Sequence, residues 1–64
     1  MPLIQVNMMT GRTEAQKRAL LRAIHEAVET SIGAPAATIR VWINEFEPTE
    51  YITGGTIAAD RDAG

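Results

Sequence analysis

The chain is short, weakly acidic and free of cysteine, which limits both its fold and its chemistry. Its 64 residues allow one domain, and a chain of this size usually needs disulfides, a metal or other subunits for stability. No Cys and a single His exclude disulfides and a His- or Cys-based metal cluster within one chain. A net charge of −2 without a basic run argues against nucleic acid, and no apolar run has membrane-spanning length. We therefore expect a cytoplasmic protein, stabilised by oligomerisation, that uses no metal or cofactor.

The first predicted element is a strand over residues 3–9, because apolar side chains alternate there with a period of two. Ile4, Val6 and Met8 share one face, which suits a core covered by a helix. The opposite face is half apolar, which suits contact with another subunit. Its members are Leu3, Gln5, Asn7 and Met9.

A helix is predicted over residues 14–32. Thr13 and Gln16 have the types and spacing of a capping box at its start. Gly33 and Pro35 mark its end, since glycine often terminates a helix and proline prevents its continuation. The predicted apolar stripe consists of Leu20, Leu21, Ile24, Ala27, Val28 and Ile32.

A second strand is predicted over residues 38–46, with Ile39, Val41 and Ile43 on its apolar face. Strand, helix and strand form a βαβ unit with parallel strands. Gly54-Gly55 predicts a short hairpin that pairs with the edge of another chain, and residues 57–64 are expected to fray. The fold class is therefore α/β, with residues 1–64 as one domain. The other face of the second strand resembles an interface and carries Arg40, Trp42, Asn44 and Phe46.

The amino terminus holds a candidate for proton transfer. A small residue after an initiator methionine permits removal of Met1, and Pro2 would then carry a secondary amine that accepts and returns a proton. With Met1 attached, the same nitrogen belongs to an amide and has no useful basicity. Considered alone, the Met1-Pro2 pair favours a proline that merely occupies the second position, without any catalytic role.

Several short motifs lie along the chain at characteristic distances. They are Pro2, Gly11-Arg12-Thr13, Glu14-Ala15-Gln16-Lys17, Gly33-Ala34-Pro35, Ile39-Arg40-Val41 and Gly54-Gly55. Together they resemble the short-chain tautomerases of the 4-oxalocrotonate tautomerase type. The resemblance covers nearly the whole chain and implies a homo-hexamer, built as a trimer of dimers, with active sites at subunit junctions. It also implies that no cofactor is needed.

The resemblance also implies roles for four residues. Pro2 matches the catalytic base, Arg12 an arginine that holds the distal carboxylate of a dicarboxylic substrate, and Arg40 one that engages the proximal carboxylate and 2-oxo group. Tyr51 stands where dicarboxylate-specific members have a phenylalanine, so it is expected to form a more polar wall. The implied reaction is ketonisation of 2-hydroxymuconate or a similar 2-hydroxy acid enol, as in aromatic hydrocarbon catabolism.

Other interpretations of these residues remain open from the sequence. Arg12 also fits a solvated loop cation, and Arg40 fits a structural ion pair with Glu45 or Glu47 of a neighbouring subunit. The same residues fit a tautomerase for monoacid enols such as phenylenolpyruvate, a dehalogenase or hydratase of the same superfamily, or an oligomeric module without catalysis.

Four further side chains are assigned to packing or surface roles. Trp42 is expected in an interface core, and Met8 and Met9 are expected to pack, with a border on the active site as the alternative. His25 is expected to be an exposed surface residue beside Glu26 and Glu29.

Overall fold

The computed structural model describes residues 1–61 and confirms the α/β class: one βαβ unit followed by a hairpin. Strands β1 and β2 are parallel, with Leu3 opposite Arg40 and Met9 opposite Phe46. Strands β3 and β4 form the antiparallel hairpin. The elements in chain order are β1 (Leu3–Met9), α1 (Glu14–Ile32), β2 (Arg40–Phe46), β3 (Ile52–Thr53) and β4 (Thr56–Ile57).

Helix α1 begins and ends where local hydrogen bonding predicts. The Gln16 N–H donates to the Thr13 hydroxyl at 3.1 Å, and the Thr13 N–H donates to Gln16 Oε1 at 2.9 Å. These two bonds satisfy amide groups that the first helical turn leaves without partners. At the other end the Gly33 N–H donates to the Glu29 carbonyl at 3.0 Å. The predicted bounds of the helix are therefore confirmed.

The stripe of α1 that lies against the sheet differs from the predicted one. Ala27 is exposed and Ile32 is 67% exposed, so neither packs on the sheet. A helix of this length spans about 28 Å and the strands about 20 Å, so the last turn extends beyond the sheet. The half-buried residues recur at helical spacing. They are Lys17, Leu20, Leu21, Ile24, His25 and Val28.

Strand β2 begins at Arg40 rather than at residue 38, because Thr38 belongs to a short 3-10 turn over Ala36–Thr38. The Thr38 N–H and hydroxyl both donate to the Pro35 carbonyl, at 2.9 and 2.7 Å. Such local bonds compete with extended backbone. A second 3-10 turn follows β2 over Pro48–Glu50.

The hairpin is confirmed, and it is more ordered than predicted on its carboxyl side. Gly54 and Gly55 both have positive φ, of 58° and 85°, as the tight turn between two such short strands requires. Pairing of the hairpin with the edge of another chain stays a prediction. Ile57 pairs with Ile52, and a 3-10 turn follows over Ala58–Asp60, so residues 57–60 have regular structure where the sequence predicts fraying. The rest of that prediction, residues 62–64, lies outside the described residues.

The core of a single chain is thin. Among residues 1–61, Ile39 is the one buried hydrophobic residue, and even it is 8% exposed. Helix α1 covers one face of the sheet, while the helix-free face leaves Leu3 62% and Trp42 43% exposed. Apolar area of this kind is what a second subunit would remove from water.

Candidate active site

Pro2 and Arg40 lie at the end of the sheet where both parallel strands begin, which we call the proline end. The Arg40 N–H donates to the Pro2 carbonyl at 3.1 Å, one step before the Leu3–Arg40 pair of the ladder. Pro2 is half-buried and Met1 is 78% exposed. The backbone of Pro2 is therefore fixed by the sheet, while the residue before it projects into solvent.

The Arg40 side chain lies on the helix-free face, because strand alternation gives it the same orientation as the exposed Leu3. Its Nη1 donates to the Ala37 carbonyl at 2.9 Å. A guanidinium has five N–H donors, so most of them stay available for a carboxylate. Within the described chain Glu45 does not pair with Arg40 but with Lys17, at 3.2 Å.

Arg12 lies at the opposite end of the sheet, which we call the distal end. It follows β1 in a loop of two residues, Gly11 and Arg12, between Thr10 and the helix cap Thr13. Gly11 has φ of +128°, a backbone conformation that residues with a side chain rarely adopt. The Arg12 side chain is exposed and has no hydrogen bond or ion pair to another residue of the 1–61 range.

Tyr51 also lies at the distal end, after the turn that follows β2. Its ring packs on that of Phe46, with centroids 5.3 Å apart and planes tilted by 32°. Its carbonyl accepts from the Ala58 N–H at 2.7 Å, which ties it to the hairpin. The ring is 43% exposed, so one side of it is open for contact with another molecule.

The four predicted site residues therefore divide between two ends of one sheet. Pro2 and Arg40 lie at the proline end, whereas Arg12 and Tyr51 lie at the distal end. A strand of seven residues separates these ends by about 20 Å. One small substrate cannot contact Pro2 and Arg12 of the same chain at once.

Glu47 also lies at the distal end. The sequence indicates it only as an ion-pair partner of Arg40 in a neighbouring subunit. Its Oε1 accepts from the Thr10 hydroxyl at 3.3 Å, across 37 positions of sequence. Its N–H donates to Glu50 Oε1 at 2.8 Å. The spacing of Glu47 and Glu50 resembles a helix cap in the sequence, but nothing there indicates the contact with Thr10.

A cavity of about 390 Å³ lies between α1 and β2, and none of the four predicted residues lines it. His25 is half-buried on its wall, so its assignment to the exposed surface is wrong; the helix turns it toward the sheet. Its Nε2 lies 3.4 Å from a Glu29 carboxylate oxygen. The residues that line the cavity are Leu21, Arg22, His25, Glu26, Ile39 and Val41.

The described part of the chain lacks two features, a metal-binding cluster and a membrane-spanning helix. Residues 1–61 contain no group of three or more His, Asp or Glu side chains arranged to hold a metal ion. The same residues include no helix that is long and apolar enough to cross a bilayer. Fold and site together define a small βαβ subunit with a proline before its first strand and an arginine near each end of its sheet.

The chain belongs to the tautomerase enzyme family, whose sequence model matches residues 2–61. It is 40% identical over 60 residues to a 2-hydroxymuconate tautomerase of Pseudomonas putida, covering 94% of this chain and 95% of that protein. It is 41% identical over 61 residues to a probable tautomerase of Bacillus cereus, covering 95% and 100%. A chain of the heterohexamer 4-oxalocrotonate tautomerase from Chloroflexus aurantiacus J-10-fl superposes with a TM-score of 0.88 at 35% identity, covering 94% and 97%. These matches confirm the predicted resemblance and support isomerase activity of the tautomerase type.

Proposed function

We propose that this chain ketonises 2-hydroxymuconate or a similar enol of a 2-oxo dicarboxylic acid, with the amine of Pro2 as base and acid. The observation that carries the proposal is the position of Pro2 in a chain of the tautomerase family: half-buried and held at the start of β1 by its bond to the Arg40 N–H. A base with a fixed backbone delivers a proton to one carbon rather than to many.

The proposed reaction moves one proton and leaves the composition of the substrate unchanged. After removal of Met1, the Pro2 amine takes the proton of the 2-hydroxyl group, and electrons shift through the conjugated system to C5. The resulting ammonium then returns a proton to C5, which restores the free amine. A secondary amine is normally too basic for both steps near neutral pH, so the proposal requires an assembled site whose burial and arginines disfavour the protonated form.

Each arginine has a proposed role that follows from the chemistry of its guanidinium. Arg40 engages the proximal carboxylate and the 2-oxygen, where negative charge develops in the transition state. Arg12 binds the distal carboxylate through the two parallel bonds that a guanidinium and a carboxylate form. Tyr51 forms a wall beside the substrate, with a hydroxyl that makes this wall more polar than phenylalanine would.

The proposal requires an oligomer in which the proline end of one chain meets the distal end of another. The roughly 20 Å between Pro2 and Arg12 along one chain supports this requirement. The exposed helix-free face supports it as well, because Leu3, Trp42 and the Arg40 side chain lie there and are open to a neighbouring subunit. We propose a homo-hexamer, a trimer of dimers, in the cytoplasm.

The test is the rate of 2-hydroxymuconate ketonisation, followed by ultraviolet absorbance, for the protein and its Pro2→Ala variant. Mass spectrometry first establishes that Met1 is removed in both. We expect kcat/KM to fall by about 100-fold or more in the variant, because general base catalysis contributes at least that much. Equal rates in the two processed proteins would refute Pro2 as the base. Protein that retains Met1 serves as a matched control and should be as slow as the variant.

A tautomerase for monoacid enols such as phenylenolpyruvate is the second candidate, favoured by the composition of the distal end. The Tyr51 hydroxyl makes this end less suited to a second carboxylate than an apolar wall with one arginine. A ratio of kcat/KM above one for the monoacid over the dicarboxylate would select it. Dehalogenation or hydration is the next alternative, and a module without catalysis is the last.

A further inference from the structure

The loop that carries Arg12 is held at both of its ends. On one side the Thr10 N–H donates to the Phe46 carbonyl at 2.9 Å, which continues the ladder between β1 and β2. On the other side Thr13 and Gln16 form the reciprocal bonds that begin α1. Because the Arg12 side chain has no partner within residues 1–61, its placement depends on these backbone anchors.

Glu47 joins this loop to the segment that carries Tyr51. Its carboxylate accepts from the Thr10 hydroxyl at 3.3 Å. Its N–H donates to Glu50 Oε1 and its carbonyl accepts from the Glu50 N–H, both at 2.8 Å. Tyr51 follows Glu50 directly. One residue is therefore bonded both to the segment before Arg12 and to the turn before Tyr51.

We propose that Glu47 is a positioning residue, which sets the placement of Arg12 relative to Tyr51 and thereby the fit of the distal carboxylate. This inference rests on the proposed function, since it assigns Glu47 a role in the same site. Glu47 acts through the other two residues and touches no reacting atom. A hydrogen bond to a carboxylate is stronger than one between neutral groups, which suits it to hold a loop of two residues.

The effect belongs in substrate binding rather than in proton transfer, because Arg12 is assigned to the distal carboxylate and not to the reacting atoms. In Glu47→Ala we expect KM for 2-hydroxymuconate to rise about three- to tenfold, the effect of one typical hydrogen bond, while kcat stays within about twofold. KM for a monocarboxylic enol, which has no distal carboxylate, is expected to change by less than about twofold.

Conservative variants separate the contact from a general loss of structure. Glu47→Gln retains an oxygen that accepts from Thr10, so it should recover most of the wild-type KM. Thr10→Val removes the donor with little change in shape, and it should raise KM as Glu47→Ala does. The double variant should be no worse than the poorer single variant, because both remove the same bond. Thr10→Val also carries the test if Glu47→Ala does not fold.

Glu45→Ala is the matched control. Glu45 is a carboxylate near the same end of β2, but it binds Lys17 of α1 at 3.2 Å instead of the loop that holds Arg12. Its removal changes the net charge by the same amount as Glu47→Ala and should leave KM unchanged. A KM shift of the same size in Glu45→Ala would show that charge, not position, causes the effect and would overturn the inference.

The experiment compares kcat and KM for the dicarboxylate and the monocarboxylate enol across this set, with Tm measured for each protein. An increase of KM confined to the dicarboxylate and recovered by Glu47→Gln supports the inference. An unchanged KM in Glu47→Ala, or equal losses on both substrates, overturns it while tautomerase activity stands. A wild-type protein that is processed at Met1 and ketonises neither enol would overturn the proposed function and this inference with it.

Discussion

The two ends of the sheet hold their candidate residues by different means. At the proline end, Pro2 and Arg40 are part of the hydrogen-bonded ladder, or one step outside it, so parallel pairing alone sets their backbones. At the distal end, Arg12 and Tyr51 lie in loops outside the ladder, where side-chain contacts between segments far apart in sequence add to the backbone bonds. The proposed chemistry is therefore assigned to the end built into the strand ladder, and substrate selection to the end built from loops.

Because the two ends differ in this way, we expect substitutions at the two ends to change different kinetic constants. Changes at the proline end should lower kcat, whereas changes at the distal end should raise KM and alter the preference between substrates. Three measurements test whether catalysis depends on the proline end and substrate binding on the distal end.

The largest expected effect is that of Arg12→Ala on dicarboxylate binding. Loss of a charge-assisted pair with the distal carboxylate should raise KM for 2-hydroxymuconate about tenfold or more, with little effect on a monocarboxylic enol. The control is Arg18→Ala, which removes the same charge from an exposed position on α1. A lowered kcat with unchanged KM would place Arg12 among the groups that act on the reacting atoms, and the division between the two ends would be wrong.

A mixing experiment tests whether one site draws on two chains. Pro2→Ala and Arg12→Ala subunits are unfolded together, refolded as mixed oligomers and compared with each variant refolded alone. If sites are shared between chains, random assembly leaves about a quarter of them with both residues intact, so kcat/KM should exceed the average of the two variants about fivefold. Activity equal to that average would mean that both residues act from one chain.

The smallest expected effect is that of Tyr51→Phe. Removal of one hydroxyl from a ring that keeps its packing on Phe46 should change the ratio of kcat/KM between dicarboxylate and monocarboxylate enols by about twofold or threefold, in favour of the dicarboxylate. Tm should stay close to that of the wild type, because the ring remains. A shift toward the monocarboxylate would show that the hydroxyl binds the distal carboxylate.

The sequence was most informative where short-range physics decides the structure. Thr13, Gln16 and Gly33 set the ends of α1 through bonds within a few residues, and the predicted bounds agree with the observed ones. It was less informative where packing decides. The pattern at Ile32 fits the helix stripe, yet the residue is 67% exposed because the helix is longer than the sheet beneath it.

The candidate site divides in the same way. The residue types and spacing of Pro2, Arg12, Arg40 and Tyr51 are properties of the sequence, and their roles remain predictions taken from its resemblance to the tautomerases. That Pro2 and Arg12 lie at opposite ends of the sheet follows already from the strand predicted between them. The exact register, in which Leu3 is opposite Arg40, comes only from the structure, since either strand could slide by two residues and keep its apolar face inward.

By itself, the sequence determined the elements, the ends of the helix and the apolar face of each strand, because periodicity and capping act over a few residues. The structure adds the exact register that places Leu3 opposite Arg40, the position of His25 on a cavity wall, and the contact of Glu47 with Thr10. These facts depend on segments that are distant in the chain, and their contacts exist only after the strands have paired and the helix has packed against them.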